Sequence, residues 1–327
     1  GVQTCALPIS GIKNIISLAD KINQLMKELV LEKNKNNNTT YQVGFSIGIA
    51  LFPEHGESIR KLLTHADLAM YRAKESGFNQ YHIYNPANNY HQELNKKLKW
   101  KQFIEQTIDK KRLQLYYQPI LDLQTQNISH YECLLRITKN NNEIMEPAEF
   151  IQYAEKLGLI ENIDILVINM AIKKHIELQQ TEDKKHLKLA INLSGQSIIN
   201  ENIKTEIKSL LSKQEVQSDK IIFEITETSA VTNFNSAQAF IHEIRNLGCQ
   251  IALDDFGSGF SSFYYLKNMS FDYIKIDGAF IQRIETNKED KIFVKALSEV
   301  AHALGKKTIA EFVETEATIN ILKELHI

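Results

Sequence analysis

The sequence contains no long uninterrupted apolar run, and this excludes a membrane-spanning helix among its 327 residues. A transmembrane helix needs roughly 18 or more consecutive apolar residues. The best candidate, Ile163–Ile172, is shorter than that and contains Asp164 and Asn169. We therefore predict that no segment of these residues spans a membrane.

Cysteine is scarce, and paired spacings are missing. The three cysteines, Cys5, Cys133 and Cys249, lie far apart, and none belongs to a C-x-x-C pair. This usage gives no support for a zinc site or a disulfide framework and is typical of the reducing cytoplasm. We predict a cytoplasmic location, which is compatible with a membrane anchor encoded upstream of Ser10.

A strong excess of either charge is also missing. The 38 Lys and Arg residues nearly balance the 40 Asp and Glu residues, so the formal net charge is −2. Because binding to duplex nucleic acid relies on neutralising phosphates, we predict no duplex partner. The balance is compatible with a small anionic ligand held by metal ions.

The first nine residues, Gly1–Ile9, resemble the translation of a common sequencing-adapter oligonucleotide joined to a gene fragment. A short strand or a signal peptide is the alternative interpretation. We expect an adapter-derived artefact and leave these residues out of the fold prediction.

Residues 10–84 show helical and strand patterns in turn. We predict a helix, a loop, a strand, a helix and a strand at Ile12–Glu32, Lys33–Thr40, Tyr41–Leu51, Ser58–Ser76 and Phe78–Tyr84. Two motifs, SIGIALFPEHGES (Ser46–Ser58) and HADLAMYRAKESGFNQY (His65–Tyr81), resemble the C-terminal half of a GGDEF, or diguanylate cyclase, domain. The signature half of that domain is not among these residues, so we expect no cyclase activity. Lys74 resembles a phosphate-contacting lysine of that family, and a solvated lysine on a helix face is the alternative.

Residues 85–111 read as a connection, with helical stretches at Asn85–Trp100 and Lys101–Lys111. From Arg112 onward, strands alternate with helices, which indicates a βα barrel or a doubly wound sheet. The predicted strands are Leu113–Leu123, Ile128–Ile137, Lys188–Leu193, Lys220–Thr226, Gln250–Asp254, Tyr273–Asp277 and Lys307–Val313.

Polar side chains stand at the ends of these apolar strands. They are Asn192, Glu224, Asp254, Asp255, Lys275, Asp277 and Glu311, and Glu132 lies within the second strand. Taken alone, each of them is equally compatible with a structural residue of the core or rim whose polar atoms are hydrogen-bonded. In a (β/α)₈ barrel, however, the carboxyl ends of the strands meet at one face, where the active site lies. Carboxylates gathered there would repel one another unless cations neutralise them, so we predict Mg²⁺ or Mn²⁺, which prefer oxygen ligands.

Asp254 and Asp255 are neighbours, and neighbouring side chains of a regular strand point to opposite faces. Both reach one site only if the strand breaks there. The glycines of Phe256–Gly259 (FGSG) predict that break. Two carboxylates at a strand end can bridge two metal ions, an arrangement used for in-line displacement at phosphorus.

Six motifs resemble those of the EAL family of cyclic di-GMP phosphodiesterases, in order and spacing. They are ECLLR (Glu132–Arg136), NLS (Asn192–Ser194), EITET (Glu224–Thr228), DDFGSGFSS (Asp254–Ser262), KID (Lys275–Asp277) and AEFVE (Ala310–Glu314). The resemblance covers about Leu113–Ile327. It implies an incomplete (β/α)₈ TIM-like barrel, over residues 112–327, preceded by a partial α+β GGDEF domain. It also implies hydrolysis of cyclic di-GMP to linear pGpG with two metal ions.

The resemblance implies roles for individual residues. The metal ligands would be Glu132, Asn192, Glu224, Asp254 and Asp255, and the substrate contacts would be Gln118, Arg136 and Asp277. Lys275 would activate or orient the attacking water, or offset developing charge. A structural salt bridge to Asp277 or a neighbouring carboxylate is its alternative. Glu311 would join the metal and water network, and Glu227 would hold the loop after the DDFG strand.

Three positions depart from the family pattern without removing a ligand: Cys133 replaces the usual Ala, Ile137 a Trp or Met, and Phe312 a common Gly. The family continues past Leu325 into an eighth strand. We therefore expect an open barrel with unpaired edges, poor stability, and a natural gene that encodes more at both ends.

Two alternatives to catalysis remain. One is a receptor that binds cyclic di-GMP without cleaving it, which the loss of a metal ligand would favour. The other is a regulatory module that forms a homodimer through Ser258–Asn268.

Overall fold

The computed structural model describes residues 11–28, 30–31, 41–42, 45–77, 79–87, 90–139, 143–213, 215–257 and 263–327. The chain divides into two compact units, Gly1–Leu98 and Lys99–Ile327, which are built on separate sheets. Among the described residues, no helix combines the length and the hydropathy that crossing a bilayer requires.

The first unit contains short strands and two long helices. Its elements are α1 (Ile12–Glu28), β1 (Val30–Leu31), β2 (Tyr41–Gln42), β3 (Ser46–Ile49), α2 (Ile59–Glu75) and β4 (Gln80–Ile83). Strands β1 and β2 pair antiparallel. Strands β3 and β4, which α2 separates along the chain, pair parallel. Helix α2 begins after Ser58, whose hydroxyl accepts a hydrogen bond from the backbone N–H of Lys61.

Close packing of α2 on β3 explains one glycine of this unit. A Cβ atom at Gly48 would lie 1.9 Å from the carbonyl oxygen of Ala66, so no larger residue fits there. Lys74 lies exposed in the last turn of α2.

Two predictions for the first unit were wrong. The helix Ile12–Glu32 ends at Glu28, because Val30–Leu31 pairs with Tyr41–Gln42, a contact that helical periodicity does not reveal. The strand Tyr41–Leu51 is two strands, β2 and β3. The predicted loop Lys33–Thr40 lies outside the described residues.

A single helix, α3 (Tyr90–Asp109), replaces the two helical stretches predicted for residues 85–111. No Gly or Pro occurs within it to break the backbone hydrogen bonds. In the second unit, Trp100 of α3 stacks on Tyr153, with ring centroids 5.1 Å apart and an interplanar angle of 8°.

The second unit is built on one sheet flanked by helices. Its strands are β5 (Leu113–Leu121), β6 (Ile128–Thr138), β7 (Ile144–Met145), β8 (Lys188–Leu193), β9 (Ile221–Thr226), β10 (Gln250–Phe256), β11 (Tyr273–Ile276) and β12 (Lys307–Ala310). Its helices are α4 (Ala148–Lys156), α5 (Ile160–Gln179), α6 (Gly195–Ile199), α7 (Glu201–Leu211), α8 (Glu227–Thr232), α9 (Phe234–Asn246), α10 (Phe263–Asn268), α11 (Gly278–Ile281), α12 (Lys288–Ala303) and α13 (Glu316–Glu324). Two 3₁₀ turns lie at Glu182–Lys184 and Ser218–Lys220.

The sheet runs in the order β12-β11-β10-β9-β8-β6-β5, with the short β7 beside β6. Strands β5 and β6 pair antiparallel, whereas β6, β8, β9, β10, β11 and β12 pair parallel in turn. Within the described residues, β5 and β12 end the order, so the sheet is a curled, incomplete TIM-like barrel. The predicted fold class is confirmed. Because neighbouring strands are parallel, their carboxyl ends share one edge of the sheet.

Five predicted strands end at other residues than predicted. Strand β5 ends at Leu121 and β6 at Thr138, and the other three ends have local reasons. Strand β11 stops at Ile276, because the side chain of Asp277 accepts from the backbone N–H of Ala279 and begins α11. Strand β12 stops at Ala310, and the chain turns at Phe312, whose φ is 52°. Strand β10 runs on to Phe256 through an irregularity in its pairing.

Alternation along the strands separates two cores. The larger core lies between the sheet and the helices and buries large side chains such as Phe223 of β9, Phe150 of α4 and Phe240 of α9. The inside of the barrel holds a smaller apolar layer, formed by Ala190, Ile222, Ala252, Tyr273 and Ile309. Because every second side chain of a strand lies on the same face, the residue two positions after each member of this layer also points into the barrel.

Candidate active site

A polar layer lies two residues beyond the apolar layer on each strand. Its members are Asn192, Glu224, Asp254, Lys275 and Glu311, each two positions after a member of the apolar layer. Strand β6 adds Glu132, two residues after the buried His130. The period of the strand thus brings residues from six separate segments to one rim of the barrel.

The ammonium of Lys275 lies at the centre of this layer. Its Nζ is within ion-pair distance of four carboxylate oxygens: Glu224 Oε2 at 2.8 Å, Glu311 Oε1 at 2.9 Å, Asp254 Oδ1 at 3.0 Å and Glu132 Oε2 at 3.3 Å. Lys275 is only 2% exposed, so these pairs are formed away from solvent. Lys275 therefore joins four of the predicted site residues.

The carboxylates of this cluster outnumber the single ammonium that faces them. Burial alone would lower the pKa of Lys275, but the four carboxylates outweigh burial and raise it, so the ammonium stays charged. Burial raises the pKa of Glu224 to about 8 against the opposing attraction of Lys275. Burial likewise raises the pKa of Glu311 to about 7. A single ammonium is too little charge for the carboxylates that face it.

The adjacent aspartates converge because β10 is irregular at this point. Asp255 has a φ of 54°, and the pairing with β11 shifts register between Leu253 and Phe256. The backbone N–H of Asp255 donates to Asp254 Oδ1 at 3.0 Å. The break thus begins at Asp255, before the FGSG segment in which the sequence predicted it. Gly257 has a φ of 106°, and residues 258–262 lie outside the described part.

The donor set fits hard divalent cations. One oxygen each of Asp254, Asp255 and Glu311 lies within 4.8 Å of the others. Among the described residues, Glu224 Oε1 is a buried oxygen that makes no hydrogen bond. Buried polar atoms normally have a partner, so this oxygen is suited to bind a cation. All these donors are carboxylate oxygens, which suit Mg²⁺ and Mn²⁺.

Asn192 lies within the same layer. Its Nδ2 donates to Glu132 Oε1 at 2.9 Å, which leaves the amide oxygen as its ligand atom. The structure therefore brings all five predicted metal ligands to the rim of the barrel.

Glu227 lies behind the site. It is 4% exposed, and its Oε2 accepts a hydrogen bond of 3.0 Å from the backbone N–H of Gly257. This contact ties the first turn of α8 to the backbone that follows the two aspartates.

The predicted substrate contacts are placed less uniformly. Gln118 of β5 pairs in register with Glu132 and lines a cavity of about 760 Å³ together with Lys275 and Glu311. Arg136 and Asp277 are not among the residues that line it. The guanidinium of Arg136 lies 5.7 Å from the ring of Tyr116 and donates to the carbonyl of Leu135.

Two family profiles match this sequence. The EAL domain profile matches residues 101–327, and the profile of the diguanylate cyclase, GGDEF domain matches residues 6–80. The chain belongs to the EAL domain family. The EAL match covers the whole described barrel, and the GGDEF match covers most of the first unit.

Curated relatives carry the same pair of regions within longer chains. The cyclic di-GMP phosphodiesterase PdeB of Shewanella oneidensis is 35% identical over 316 residues, 96% of this EAL chain and 37% of PdeB. The signaling protein YkoW of Bacillus subtilis is 32% identical over 308 residues, which are 94% of this chain and 37% of YkoW. The chain therefore spans less than half the length of these relatives.

A solved structure of similar fold is the PaMucR phosphodiesterase in complex with c-di-GMP. Its TM-score is 0.65 at 28% sequence identity, and the match covers 69% of this chain and 92% of that one.

Sequence reasoning missed one residue that supports the site. Asp164 of α5 accepts hydrogen bonds from the backbone N–H of Ser194 at 3.0 Å and from Ser197 Oγ at 2.7 Å. It thereby fixes the turn that follows Asn192. The available signal was a carboxylate within the apolar stretch Ile163–Ile172, because a buried charge requires specific partners.

Proposed function

We propose that this chain hydrolyses one phosphodiester bond of cyclic di-GMP and releases linear pGpG. The observation that carries the proposal is the buried layer in which Lys275 contacts four carboxylates at one rim of the barrel. Such a rim suits a phosphodiester once it holds divalent cations, because the cations offset the negative charge of the phosphate and of its transition state. The names of PdeB and of the PaMucR complex support cyclic di-GMP as the substrate.

Glu132, Asn192, Glu224, Asp254 and Asp255 would hold two Mg²⁺ or Mn²⁺ ions. Bound divalent cations neutralise phosphate charge and make water a stronger nucleophile at neutral pH. The unpartnered Glu224 Oε1 and the close oxygens of Asp254 and Asp255 support this assignment.

Lys275 supplies positive charge and does not act as a base. Its raised pKa keeps the ammonium protonated, so it donates hydrogen bonds and offsets the charge that develops on phosphate oxygens. Its four ion pairs also orient the carboxylates around it.

Glu311 would join the network of metal ions and water. One of its oxygens lies within 4.8 Å of oxygens of Asp254 and Asp255, and its Oε1 lies 2.9 Å from Lys275 Nζ. Glu227 holds the turn at Gly257 and positions the two aspartates.

Gln118, Arg136 and Asp277 would contact the dinucleotide. Gln118 already lines the cavity beside Glu132. The guanidinium of Arg136 is suited to a phosphate by charge and by its planar arrangement of donors.

Two further features belong to the same proposal. The chain acts in the cytoplasm. A homodimer forms through Ser258–Asn268, of which residues 258–262 lie outside the described part.

The test compares turnover of cyclic di-GMP by the full-length protein, Glu132→Ala and the control Glu299→Ala. Glu299 lies on α12 with 69% of its side chain exposed. We expect turnover with Mg²⁺ in wild type and control, and its loss in Glu132→Ala. Binding without turnover in wild type would favour the receptor alternative. Equal turnover in wild type and Glu132→Ala would refute the site.

A further inference from the structure

The turn that follows β8 packs against the first turn of α8 with no space left for a side chain. The contact is made by Gly195, the first residue of α6 and the third after Asn192. A Cβ atom at Gly195 would lie 2.7 Å from Ser229 Oγ and 3.2 Å from Ser229 Cβ. The φ of Gly195 is not in the left-handed region. This position therefore requires glycine for space and not for its backbone conformation.

Ser229 is held in place by its own hydrogen bonds. Its Oγ lies 2.8 Å from Thr226 Oγ1, and its backbone N–H donates to the same oxygen at 3.4 Å. Thr226 is the N-cap residue of α8, so these bonds hold the start of that helix. Rotation of the Ser229 hydroxyl would break its bond to Thr226 and would leave the Ser229 Cβ in place. A side chain at Gly195 would therefore push the two turns apart.

The turn at Gly195 is also held by α5. The backbone N–H of Ser194 and the hydroxyl of Ser197 both donate to Asp164 Oδ2, at 3.0 Å and 2.7 Å. Gly195 lies between these two serines along the chain, so a displacement of the turn would strain both bonds. The spacing between this turn and α8 is thus set by contacts on two helices.

Both turns follow strands that carry predicted metal ligands. Asn192 of β8 and Glu224 of β9 lie opposite each other in the parallel pairing of these strands. Helix α8 reaches a third strand, because Glu227 in its first turn accepts a hydrogen bond from the backbone N–H of Gly257, just after β10. A displacement of α8 would therefore change the relative positions of ligands on β8, β9 and β10.

We propose that Gly195 is a positioning residue of the metal site, whose missing side chain lets the turns after β8 and β9 pack at the spacing that the cations require. This inference rests on the proposed function, because it takes Asn192 and Glu224 as metal ligands. Gly195 would act through Ser229 and α8 and would not contact a cation itself. Residues that orient metal ligands from outside the coordination sphere contribute roughly 10- to 100-fold to metal affinity.

The test measures Mn²⁺ affinity by calorimetric titration of the full-length protein, for wild type, Gly195→Ala and the control Ile199→Ala. Ile199 lies on the same helix and is 47% exposed. Gly195→Ala should weaken Mn²⁺ binding by roughly 10- to 100-fold, whereas Ile199→Ala should bind Mn²⁺ like wild type. An unchanged Mn²⁺ affinity in Gly195→Ala overturns the inference, even if that variant unfolds at lower urea concentration.

A second change at Ser229 separates positioning from a general loss of stability. Ser229→Gly removes both atoms that the new methyl group would meet and leaves the Ser229 Cα at 3.8 Å. Added to Gly195→Ala, it should restore Mn²⁺ affinity, although glycine within a helix lowers stability. Ser229→Ala keeps a good helix former, removes only the closer atom and should restore part of the affinity. If neither double variant binds Mn²⁺ more tightly than Gly195→Ala, the inference is overturned.

The two proposals fail in different ways. Mn²⁺ binding by wild type that Glu132→Ala weakens, together with an unchanged affinity in Gly195→Ala, overturns only the positioning role. A wild type that binds no Mn²⁺ overturns the metal site and the positioning role together.

Discussion

At the scale of the residue, position along a strand decides which side chains reach the site. Ile222 and Glu224 point into the barrel, whereas Phe223 and Ile225 pack toward the helices. A shift of one residue in the register of β9 would exchange these sets and replace a carboxylate of the site with an apolar side chain. The chemistry therefore depends on the same alternation that forms the core.

Lys275→Met should weaken both folding and turnover. Removing the ammonium leaves carboxylates buried without their partner, which costs about 3 kcal/mol when a buried pair is broken. We expect turnover to fall by at least roughly 100-fold, as when one electrostatic donor is removed from an active site. Urea unfolding followed by Trp100 fluorescence measures the stability, since this single tryptophan packs in the second unit.

Lys295→Met is the matched control for this prediction, because 61% of that side chain is exposed on α12. It should leave stability and turnover unchanged. A Lys275→Met variant that behaves like Lys295→Met would contradict the central position given to Lys275.

At the scale of the element, one helix holds the segment behind a strand of the site. Asp164 of α5 joins that helix to the turn between β8 and α6, through Ser194 and Ser197. Burial raises the pKa of Asp164, and the hydrogen bonds from Ser197 and Ser194 oppose that effect. The packing of α5 is thereby connected to the orientation of Asn192.

Asp164→Ala should destabilise the second unit and weaken cation binding. The backbone N–H of Ser194 would lose its buried acceptor, which costs about 1–3 kcal/mol. Asn192 would also be less well oriented, so the affinity for Mn²⁺ should fall. Urea unfolding and calorimetric titration with Mn²⁺ measure the two effects. The control is Asn162→Ala, because Asn162 is an exposed neighbour on the same helix. Equal Mn²⁺ affinity in the two variants would show that Asp164 does not orient the metal site.

At the scale of the whole molecule, stability depends on pH through a buried histidine. His130 of β6 is 1% exposed, and its ring lies 5.6 Å from that of Tyr273. Burial lowers its pKa to about 4, and the positive charges of Lys275, Lys188 and Lys307 act in the same direction. In the unfolded chain the pKa is about 6.5.

Acidification should therefore destabilise the fold through His130. Between pH 6.5 and 4 the unfolded state binds more protons than the folded state, so stability falls as the pH falls. The loss between pH 7 and pH 5 should be about 2 kcal/mol. Glu224 and Glu311 act in the opposite sense, because their raised pKa values favour the folded state at lower pH.

The measurement compares wild type with His130→Gln at both pH values, using urea unfolding. The variant should lack the contribution of about 2 kcal/mol, while the exposed His302→Gln should retain it. The same pH dependence in wild type and His130→Gln would contradict this account.

The sequence reveals the parts of this fold that follow a local period. Strand β8 has the predicted bounds, and the polar ends at Glu224 and Lys275 were visible as interruptions of apolar runs. Strand β1 was missed, because its pairing with β2 is a contact between distant residues. The break at Asp255 was misplaced, because the positive φ of a non-glycine residue is set by the surrounding fold.

The central claim is that side chains from separate strands jointly bind divalent cations. The most direct measurement is an anomalous difference map from crystals of the protein grown with Mn²⁺. The account predicts anomalous peaks within bonding distance of carboxylate oxygens of Glu224 and Asp254. Bound Mn²⁺ elsewhere, with no peak beside these residues, would contradict it.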